Sequence, residues 1–330
     1  MKKIPPALRL LAIQELFRKY TDEDNEITIQ ELIGLLMQKF PNHSTPSLNT
    51  IESDITHLNE AGFKIQIRRG AHNQFFYKYV PDITSSELRM IIDSIASAKI
   101  LTVDQTDKLV KKVRGLSSLY FQNELSNTVK YENRIKSTDE GIMYHIISLH
   151  KAIIESKKVL ITYGRFNVAK HFVHSNKGEP YLIEPYELYW NSDYYYLICK
   201  YKGSWRHFRL DRIVDVTVMS EKFKRDPNFS VEEYTHTLFN MYPGDVRIVE
   251  IRFESHLINA VLDRFGLQAD IQKDGDNHFI LKFRGAISEG LKRWILIWGS
   301  DAEVLYPNDL RTAMQEEADK FYKTYHKQQL

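Results

Sequence analysis

Three arginines stand at three-residue intervals near the middle of the chain, at Arg206, Arg209 and Arg212. They follow a segment rich in tyrosine that includes Tyr194–Tyr196. A guanidinium group binds phosphate through two parallel N–H donors, and Tyr or Trp rings stack on nucleobases. This combination of residue types indicates a site for a planar anionic ligand.

The segment around these arginines alternates aromatic and polar residues, which predicts short β-strands separated by turns. The predicted strands are Glu187–Trp190, Tyr194–Tyr201 and Trp205–Leu210. Alternation places Arg206 and Arg209 on opposite faces of the third strand. Arg212 follows that strand, where the chain can turn back over the sheet edge. We therefore expect Arg209 and Arg212 to matter most for an anion, with Arg206 nearby but more dispensable.

Three motifs in this segment resemble the WYL domain, a small β-barrel of the Sm-like class found in bacterial regulators. They are Glu184-Pro185-Tyr186, Tyr195-Tyr196-Leu197 and Arg206-His207-Phe208-Arg209-Leu210-Asp211-Arg212-Ile213. The last motif is the most specific, because the family sequence there reads Arg-Thr-Phe-Arg-Leu-Asp-Arg-Ile. The chain departs from the family at the tryptophan that gives the domain its name, where it has Tyr195.

The resemblance implies a ligand sensor whose effector is a nucleic acid fragment or a nucleotide. It implies a ligand site built from aromatic and arginine side chains, namely Tyr163, Tyr195, Arg206, Arg209 and Arg212. Two alternatives stay open. The arginines could instead form surface ion pairs with Glu184, Glu187 or Asp211, and Tyr163 could be an aromatic residue of the barrel core.

Residues 1–80 have the pattern of three helices followed by a β-hairpin. A capping box at Thr28–Glu31 starts the second helix, Ser47 starts the third, and Gly62 ends it. This order predicts a winged helix-turn-helix domain. Such domains read double-stranded DNA with the third helix, and its candidate DNA contacts are polar residues: Ser47, Asn49, Thr50 and Ser53.

The third helix lacks the arginines that the family has there, and the predicted hairpin offsets part of that loss. Residues 61–80 contain basic residues and no Asp or Glu. We therefore expect hairpin contacts with the phosphate backbone from Arg68, Arg69 and Lys78. The alternative is a winged helix that binds protein.

The rest of the chain divides into a helical connector at residues 81–140, the barrel at 141–226 and a C-terminal module at 227–330. The connector has no chemical motif and is a candidate dimerisation segment. The C-terminal elements follow the order β-α-β-β-α-β, which is ferredoxin-like, and resemble the WCX module that commonly follows a WYL domain. The predicted fold class is α+β multidomain: winged helix-turn-helix, helical connector, Sm-like β-barrel (WYL) and ferredoxin-like βαββαβ module.

Composition argues against several other classes of function. Among 330 residues the net charge is +2, so no global basic field is present, and the single Cys199 excludes an internal disulfide or a cysteine-based zinc site. The 12 histidines lack metal-ligand spacing, and no phosphate loop or nucleophile elbow appears. We expect no metal, no cofactor and no enzymatic activity. No apolar run could span a bilayer and no signal-peptide pattern is present, so we expect no membrane partner and a cytoplasmic location.

Together these patterns predict a bacterial or phage-borne transcriptional regulator that binds operator DNA as a homodimer. Its barrel would sense the effector and shift the relative placement of the two winged helices. The main alternative is an accessory factor that binds single-stranded nucleic acid and uses its winged helix for protein contacts. An enzyme that acts on nucleic acid is a remote third option.

Overall fold

A computed structural model describes residues 2–126, 136–137 and 140–326. The chain forms two compact units, Met1–Glu140 and Gly141–Leu330. None of the helices in these described ranges is both long and apolar enough to cross a membrane.

The first unit is mainly helical. Its helices are α1 (Pro6–Tyr20), α2 (Ile29–Lys39), α3 (Leu48–Glu60), α4 (Ser85–Ser97), α5 (Val103–Arg114) and α6 (Leu119–Ser126). Its strands are β1 (Lys2–Lys3), β2 (His43–Ser44), β3 (Ile65–Arg69) and β4 (Phe75–Tyr79). Strands β1 and β2 pair in parallel, and β3 and β4 form an antiparallel hairpin.

Helix boundaries in this unit follow local capping chemistry. Thr28 begins α2 through a complete capping box with Glu31, and the Ser47 side chain accepts a hydrogen bond from the Thr50 backbone N–H at the start of α3. Gly62 follows α3 with φ +89°, a left-handed conformation that favours glycine. These predicted boundaries are confirmed.

The helices α1, α2 and α3 share one apolar core, into which residues such as Phe17, Leu36 and Ile51 are fully buried. An ion pair fastens α1 to α3: the Arg9 guanidinium donates to the nearly buried Asp54 carboxylate at 2.5 and 3.0 Å. The exposed face of α3 is therefore held in a fixed orientation.

Apolar spacing in the connector predicts one helix around Gln105–Tyr120, and the structure contradicts that extent. Helix α5 ends at Arg114, and Gly115 donates its backbone N–H to the Lys111 carbonyl. A separate helix, α6, begins at Leu119, where the Ser118 hydroxyl accepts a hydrogen bond from the Phe121 backbone N–H. Gly115 and the capping residue Ser118 therefore divide a segment that apolar spacing alone predicts to be one helix.

The second unit contains two sheets. Its helices are α7 (Ile142–Ile154), α8 (Val231–His236), α9 (Ile258–Phe265), α10 (Glu289–Leu296) and α11 (Asn308–Tyr325). Its strands are β5 (Lys157–Phe166), β6 (Phe172–His174), β7 (Tyr181–Asn191), β8 (Tyr194–Tyr201), β9 (Ser204–Arg209), β10 (Ile213–Lys222), β11 (Asp245–Glu254), β12 (Asp270–Asp274), β13 (His278–Ile287) and β14 (Ala302–Tyr306).

The larger sheet has the strand order β10-β5-β7-β8-β9, and β6 pairs with the far end of β5. Helix α7 packs against this sheet. Strand β7 passes through Pro185, which lies before the predicted strand Glu187–Trp190. The register shifts between Pro185 and Glu187, and a proline is tolerated at such a bulge because no regular ladder bond is required of it.

The smaller sheet has the strand order β12-β13-β11-β14, and every neighbouring pair is antiparallel. Helix α9 connects β11 to β12 and α10 connects β13 to β14, so the elements follow the order β-α-β-β-α-β. The core between sheet and helices is aromatic and aliphatic, with Phe253, Val261 and Ile295 fully buried.

Candidate functional site

Four of the five predicted ligand residues line one open cavity of about 580 Å³ in the second unit. They are Tyr163 from β5, Arg206 and Arg209 from β9, and Arg212 from the turn that follows β9. Tyr196 from β8 also lines this cavity, which is called the arginine cavity below. The facing wall comes from residues 240–243, between α8 and β11. The side chains that could bind a planar anion therefore converge.

Arg209 is already engaged by its neighbours. Its Nε and Nη2 atoms donate to the two carboxylate oxygens of Asp211 at 3.0 and 2.6 Å, and its guanidinium lies 3.3 Å from the centre of the Tyr194 ring. Burial lowers the pKa of Arg209, but the hydrogen bonds and charge of Asp211 outweigh it and raise the pKa. For this arginine, the ion-pair alternative describes the observed contacts.

Arg206 and Arg212 differ from Arg209. Arg206 is exposed, and within the described part of the chain it forms no ion pair with a carboxylate within 4.0 Å. Arg212 lies beside the Tyr163 hydroxyl: burial raises the pKa of Tyr163, and the charge of Arg212 and its hydrogen bond partly offset that rise. Tyr163 also accepts a 3.4 Å hydrogen bond from the Arg209 backbone N–H. Its hydroxyl therefore lies between the two arginines at the end of the strand.

Tyr195 lies outside this cavity. Successive residues of β8 point to opposite faces, and Tyr195 packs edge-on against Trp190 with ring centres 5.2 Å apart. Tyr194 and Tyr196 take the face of the arginines instead. Burial raises the pKa of Tyr196. The ring that lines the cavity is therefore that of Tyr196 and not that of Tyr195, the predicted ligand residue.

His207 joins the larger sheet to the segment that precedes β11. Its Nδ1 lies 2.7 Å from the Met241 carbonyl oxygen and its Nε2 lies 3.0 Å from the Tyr234 hydroxyl. Because a carbonyl can only accept, Nδ1 carries the proton and Nε2 accepts from Tyr234. Burial lowers the pKa of His207, and the bond to Met241 opposes this shift only in part. His207 is therefore a neutral structural donor at the base of the cavity.

Sequence reasoning missed the wall at residues 240–243. Asn240 and Met241 both have positive φ, at 51° and 58°, in a tight turn where Phe239 bridges Tyr242. Two successive left-handed residues without glycine are uncommon. The only local signal was Asn240, which tolerates this conformation better than most residues.

Comparison with known proteins agrees with this architecture. Residues 145–218 match the family model of the WYL domain, and residues 245–322 match that of the WCX domain. The chain carries a WYL domain followed by a WCX domain. The arginine cavity thus lies in the WYL domain, with one wall from the segment that leads into the WCX domain.

Two solved structures are similar to the whole chain. Proteasome accessory factor B/C (PafBC) of Arthrobacter aurescens is 15% identical, with 95% of this chain and 47% of that chain covered and a TM-score of 0.29. A CRISPR Cas-related protein is 14% identical, with 98% and 87% covered and a TM-score of 0.38. The chain thus spans less than half the length of the PafBC structure. No curated protein matches the sequence.

In the first unit, the predicted contacts of α3 lie on its N-terminal half. Asn49 and Ser53 are exposed, and so is Glu52 between them. The Ser47 and Thr50 hydroxyls lie 2.8 Å apart in the helix cap. The exposed face of α3 carries no Lys or Arg. This face can form polar contacts but brings no positive charge.

Two basic residues of the β3–β4 hairpin, Arg68 and Lys78, are engaged by the turn between α1 and α2. Arg68 donates from Nε and Nη2 to Glu26 at 2.8 and 2.6 Å, and Lys78 donates to the Glu23 carbonyl at 2.6 Å. Arg69 donates to the Asn73 side chain within the hairpin. The absence of Asp and Glu from residues 61–80 therefore overstates the charge of the hairpin, because a carboxylate arrives from elsewhere in the chain.

One group in the WCX domain could approach a metal ion. Glu254, His256 and Asp301 each place a ligand atom within 4.8 Å of the others. The two nitrogens of His256 face different carboxylates, at 3.4 Å from Glu254 and 3.5 Å from Asp301. One ion could bind only one of those nitrogens, so this geometry suits an ion pair better than a chelate.

Proposed function

We propose that this WYL-domain protein is a transcriptional regulator that binds double-stranded DNA through Met1–Glu140 and responds to a nucleic acid fragment or nucleotide in the arginine cavity. The observation that carries the proposal is the convergence of Arg206 and Arg212 with the Tyr163 and Tyr196 rings around one open cavity. Cationic forks beside aromatic rings suit a phosphate joined to a base. The proposal includes no catalytic step and no cofactor.

Within the cavity, we assign the anion contacts to Arg206 and Arg212. Arg209 donates to Asp211 with two of its nitrogens and stacks on Tyr194, so binding an anion there would mean displacing a carboxylate. The strand pattern predicts a larger role for Arg209 than for Arg206, and the contacts favour the reverse order. Arg209 then has a positioning role, since it orders the turn that carries Arg212.

For DNA, we propose that α1, α2, α3 and the β3–β4 hairpin act as a winged helix. Ile27 bridges Tyr77 and so adds a third strand position to the hairpin. Helix α3 would enter the major groove and read bases through Asn49. Because α3 presents no cation, one copy would bind weakly, and we propose a homodimer on a two-fold site.

The remaining fold assignments belong to the same proposal. We assign the larger sheet with α7 to an Sm-like barrel and the βαββαβ elements to a ferredoxin-like module. Effector binding would favour one placement of the two winged helices and thereby change the affinity for DNA.

The test titrates the full-length protein with mononucleotides and short single-stranded oligonucleotides. Arg206→Ala and Arg212→Ala should each weaken binding about tenfold or more, because a charge-assisted hydrogen bond contributes roughly 1.5–3 kcal/mol. Arg225→Ala is the matched control, since Arg225 lies over the Tyr186 ring in the same unit. Melting temperature is measured for every variant. The sensor-site assignment would be refuted if both cavity variants kept full affinity, or if the unmodified protein bound none of these ligands.

A second function has one specific observation in its favour. The exposed face of α3 has no Lys or Arg and includes Glu52, which suits a protein contact better than a phosphate backbone. The protein would then be an accessory factor for single-stranded nucleic acid. Sequencing DNA recovered with the protein from cells separates the two, because inverted repeats support the regulator and unstructured single strands support the accessory factor.

A further inference from the structure

A hairpin at the end of β5 exposes more apolar surface than its position explains. The β5–β6 hairpin (residues 164–174) pairs Phe166 directly with Phe172. Phe166 is 67% exposed, Phe172 is 39% exposed, and Val168 at the tip is fully exposed. Aromatic rings left in water on a protruding hairpin are costly to keep there. They therefore need a function other than packing.

The two rings are held in place. Their centres lie 5.3 Å apart at an interplanar angle of 78°. Gly164 lets the Phe172 ring lie against the backbone of β5, because a Cβ atom at Gly164 would come within 2.3 Å of that ring. At the tip, the Asn167 backbone N–H donates to the His171 carbonyl, and the His171 N–H donates to the Asn167 side-chain oxygen. The rings form an ordered surface on which a flat ligand could stack.

The charge of residues 164–178 indicates which class of ligand the hairpin would bind. Residues 164–178 include Arg165, Lys170 and Lys177 and no Asp or Glu. Across the residues described in this structure, none of these three cations lies within 4.0 Å of a carboxylate. All three are exposed. Exposed rings among unpaired cations suit a polyanion with flat groups rather than an apolar protein surface.

The two faces of the hairpin carry different residues. Arg165 lies two residues after Tyr163, on the same face of β5, whereas Phe166 and its partner Phe172 lie on the opposite face. We propose that the β5–β6 hairpin is a binding site for single-stranded nucleic acid, with unpaired bases on Phe166 and Phe172 and phosphates on Lys170 at the tip and Lys177 in the turn that follows β6. This inference rests on the function proposed above and narrows it, because it makes the effector an oligonucleotide of several residues rather than a mononucleotide.

The test compares fluorescent oligo-dT of about two and about eight nucleotides by anisotropy on the full-length protein. The longer probe should bind more tightly. Phe166→Ala should weaken its binding about fivefold or more, as expected for one lost stacking contact, and leave the short probe unaffected. Val168→Ser is the matched control, because it removes exposed apolar surface at the same tip without removing a ring. Lys170→Gln should lower the salt dependence by about 0.7 in log–log slope.

The outcomes separate this inference from the cavity assignment. Loss of binding in Arg212→Ala with full binding in Phe166→Ala would overturn the hairpin site and leave the cavity intact. Binding of the long probe that needs Phe166 but not Arg212 would support the hairpin and count against the cavity. If Phe166→Ala and Val168→Ser instead weaken self-association in sedimentation without changing oligonucleotide affinity, the hairpin is a contact between copies of the chain and the inference fails.

Discussion

Glu26→Gln should increase the affinity of the protein for duplex DNA. The Glu26 carboxylate accepts both donated hydrogen bonds of Arg68, at 2.8 and 2.6 Å, and the guanidinium also lies 4.6 Å from the centre of the Phe76 ring. The hydrogen bonds from Arg68 and its charge lower the pKa of Glu26 from its ordinary value, which itself lies well below neutral pH. A DNA phosphate must displace this carboxylate to reach Arg68. A neutral glutamine removes the negative charge with which the phosphate competes for Arg68.

The expected gain is that of one phosphate contact. Each phosphate contact on B-DNA steepens the dependence of log affinity on log salt by about 0.9. Relative to about 1 M salt, the contact therefore increases the affinity roughly eightfold at about 0.1 M salt and roughly fourfold at about 0.2 M. The Glu26 side chain is only 16% accessible, but glutamine has the same size and shape as the glutamate it replaces, so the variant should retain its fold.

The assay is fluorescence anisotropy with a duplex of random sequence over a range of salt concentrations. Glu124→Gln, which removes an equal charge from α6, controls for net charge. The double variant Glu26→Gln, Arg68→Ala should lose the gain, because no guanidinium is released. If Glu26→Gln binds no more tightly, or if its gain survives without Arg68, then the hairpin is not the phosphate-binding surface.

Two further predictions concern stability. Asp54→Asn should lower the free energy of unfolding by about 3 kcal/mol or more, because it leaves the Arg9 charge unpaired in a largely buried site; urea unfolding measures this, and replacement of both partners by apolar residues should restore much of the loss. For His207, burial lowers the pKa below its ordinary value of 6.5, so its stabilising contribution is present above that value and is lost as pH falls towards the folded pKa. His207→Asn, which keeps a donor for Met241, should therefore lose less stability than the unmodified protein between about pH 7.5 and pH 5, and an equal loss in both would contradict the assignment.

Sequence reasoning succeeded where the decisive interaction is local. The capping boxes that begin α2 and α4 involve side chains three residues apart. The box from Thr28 to Glu31 forms as predicted, and the same sequence pattern gives the box from Thr84 to Glu87. The hairpin between β12 and β13 likewise follows from the turn residues at 274–277. Such features need no knowledge of the rest of the fold.

The cavity was predictable only in part. Its arginines lie within one short motif, and Tyr163 pairs with Ile213, the last residue of that motif. The family motif indicates Tyr195 as the ligand residue. The alternation of β8 and its pairing with β9 instead bring Tyr196 opposite Arg209. The wall at residues 240–243 depends on a contact between His207 and Met241 that spans 34 residues. No window of sequence contains both sides of that contact.

The turn between α1 and α2 explains why the charge of the β3–β4 hairpin was misjudged. Glu26 holds Arg68 in β3, while the carbonyl of Glu23 holds Lys78 in β4. The carboxylate of Glu23 in turn accepts two hydrogen bonds from Ser85 at the start of α4, at 2.9 and 2.7 Å. The hairpin cations and α4 therefore share one anchor. If the hairpin binds DNA as proposed, we expect a displacement of α4 to move Glu23 and the Lys78 ammonium group bonded to it, and so to change the positive charge that the hairpin presents.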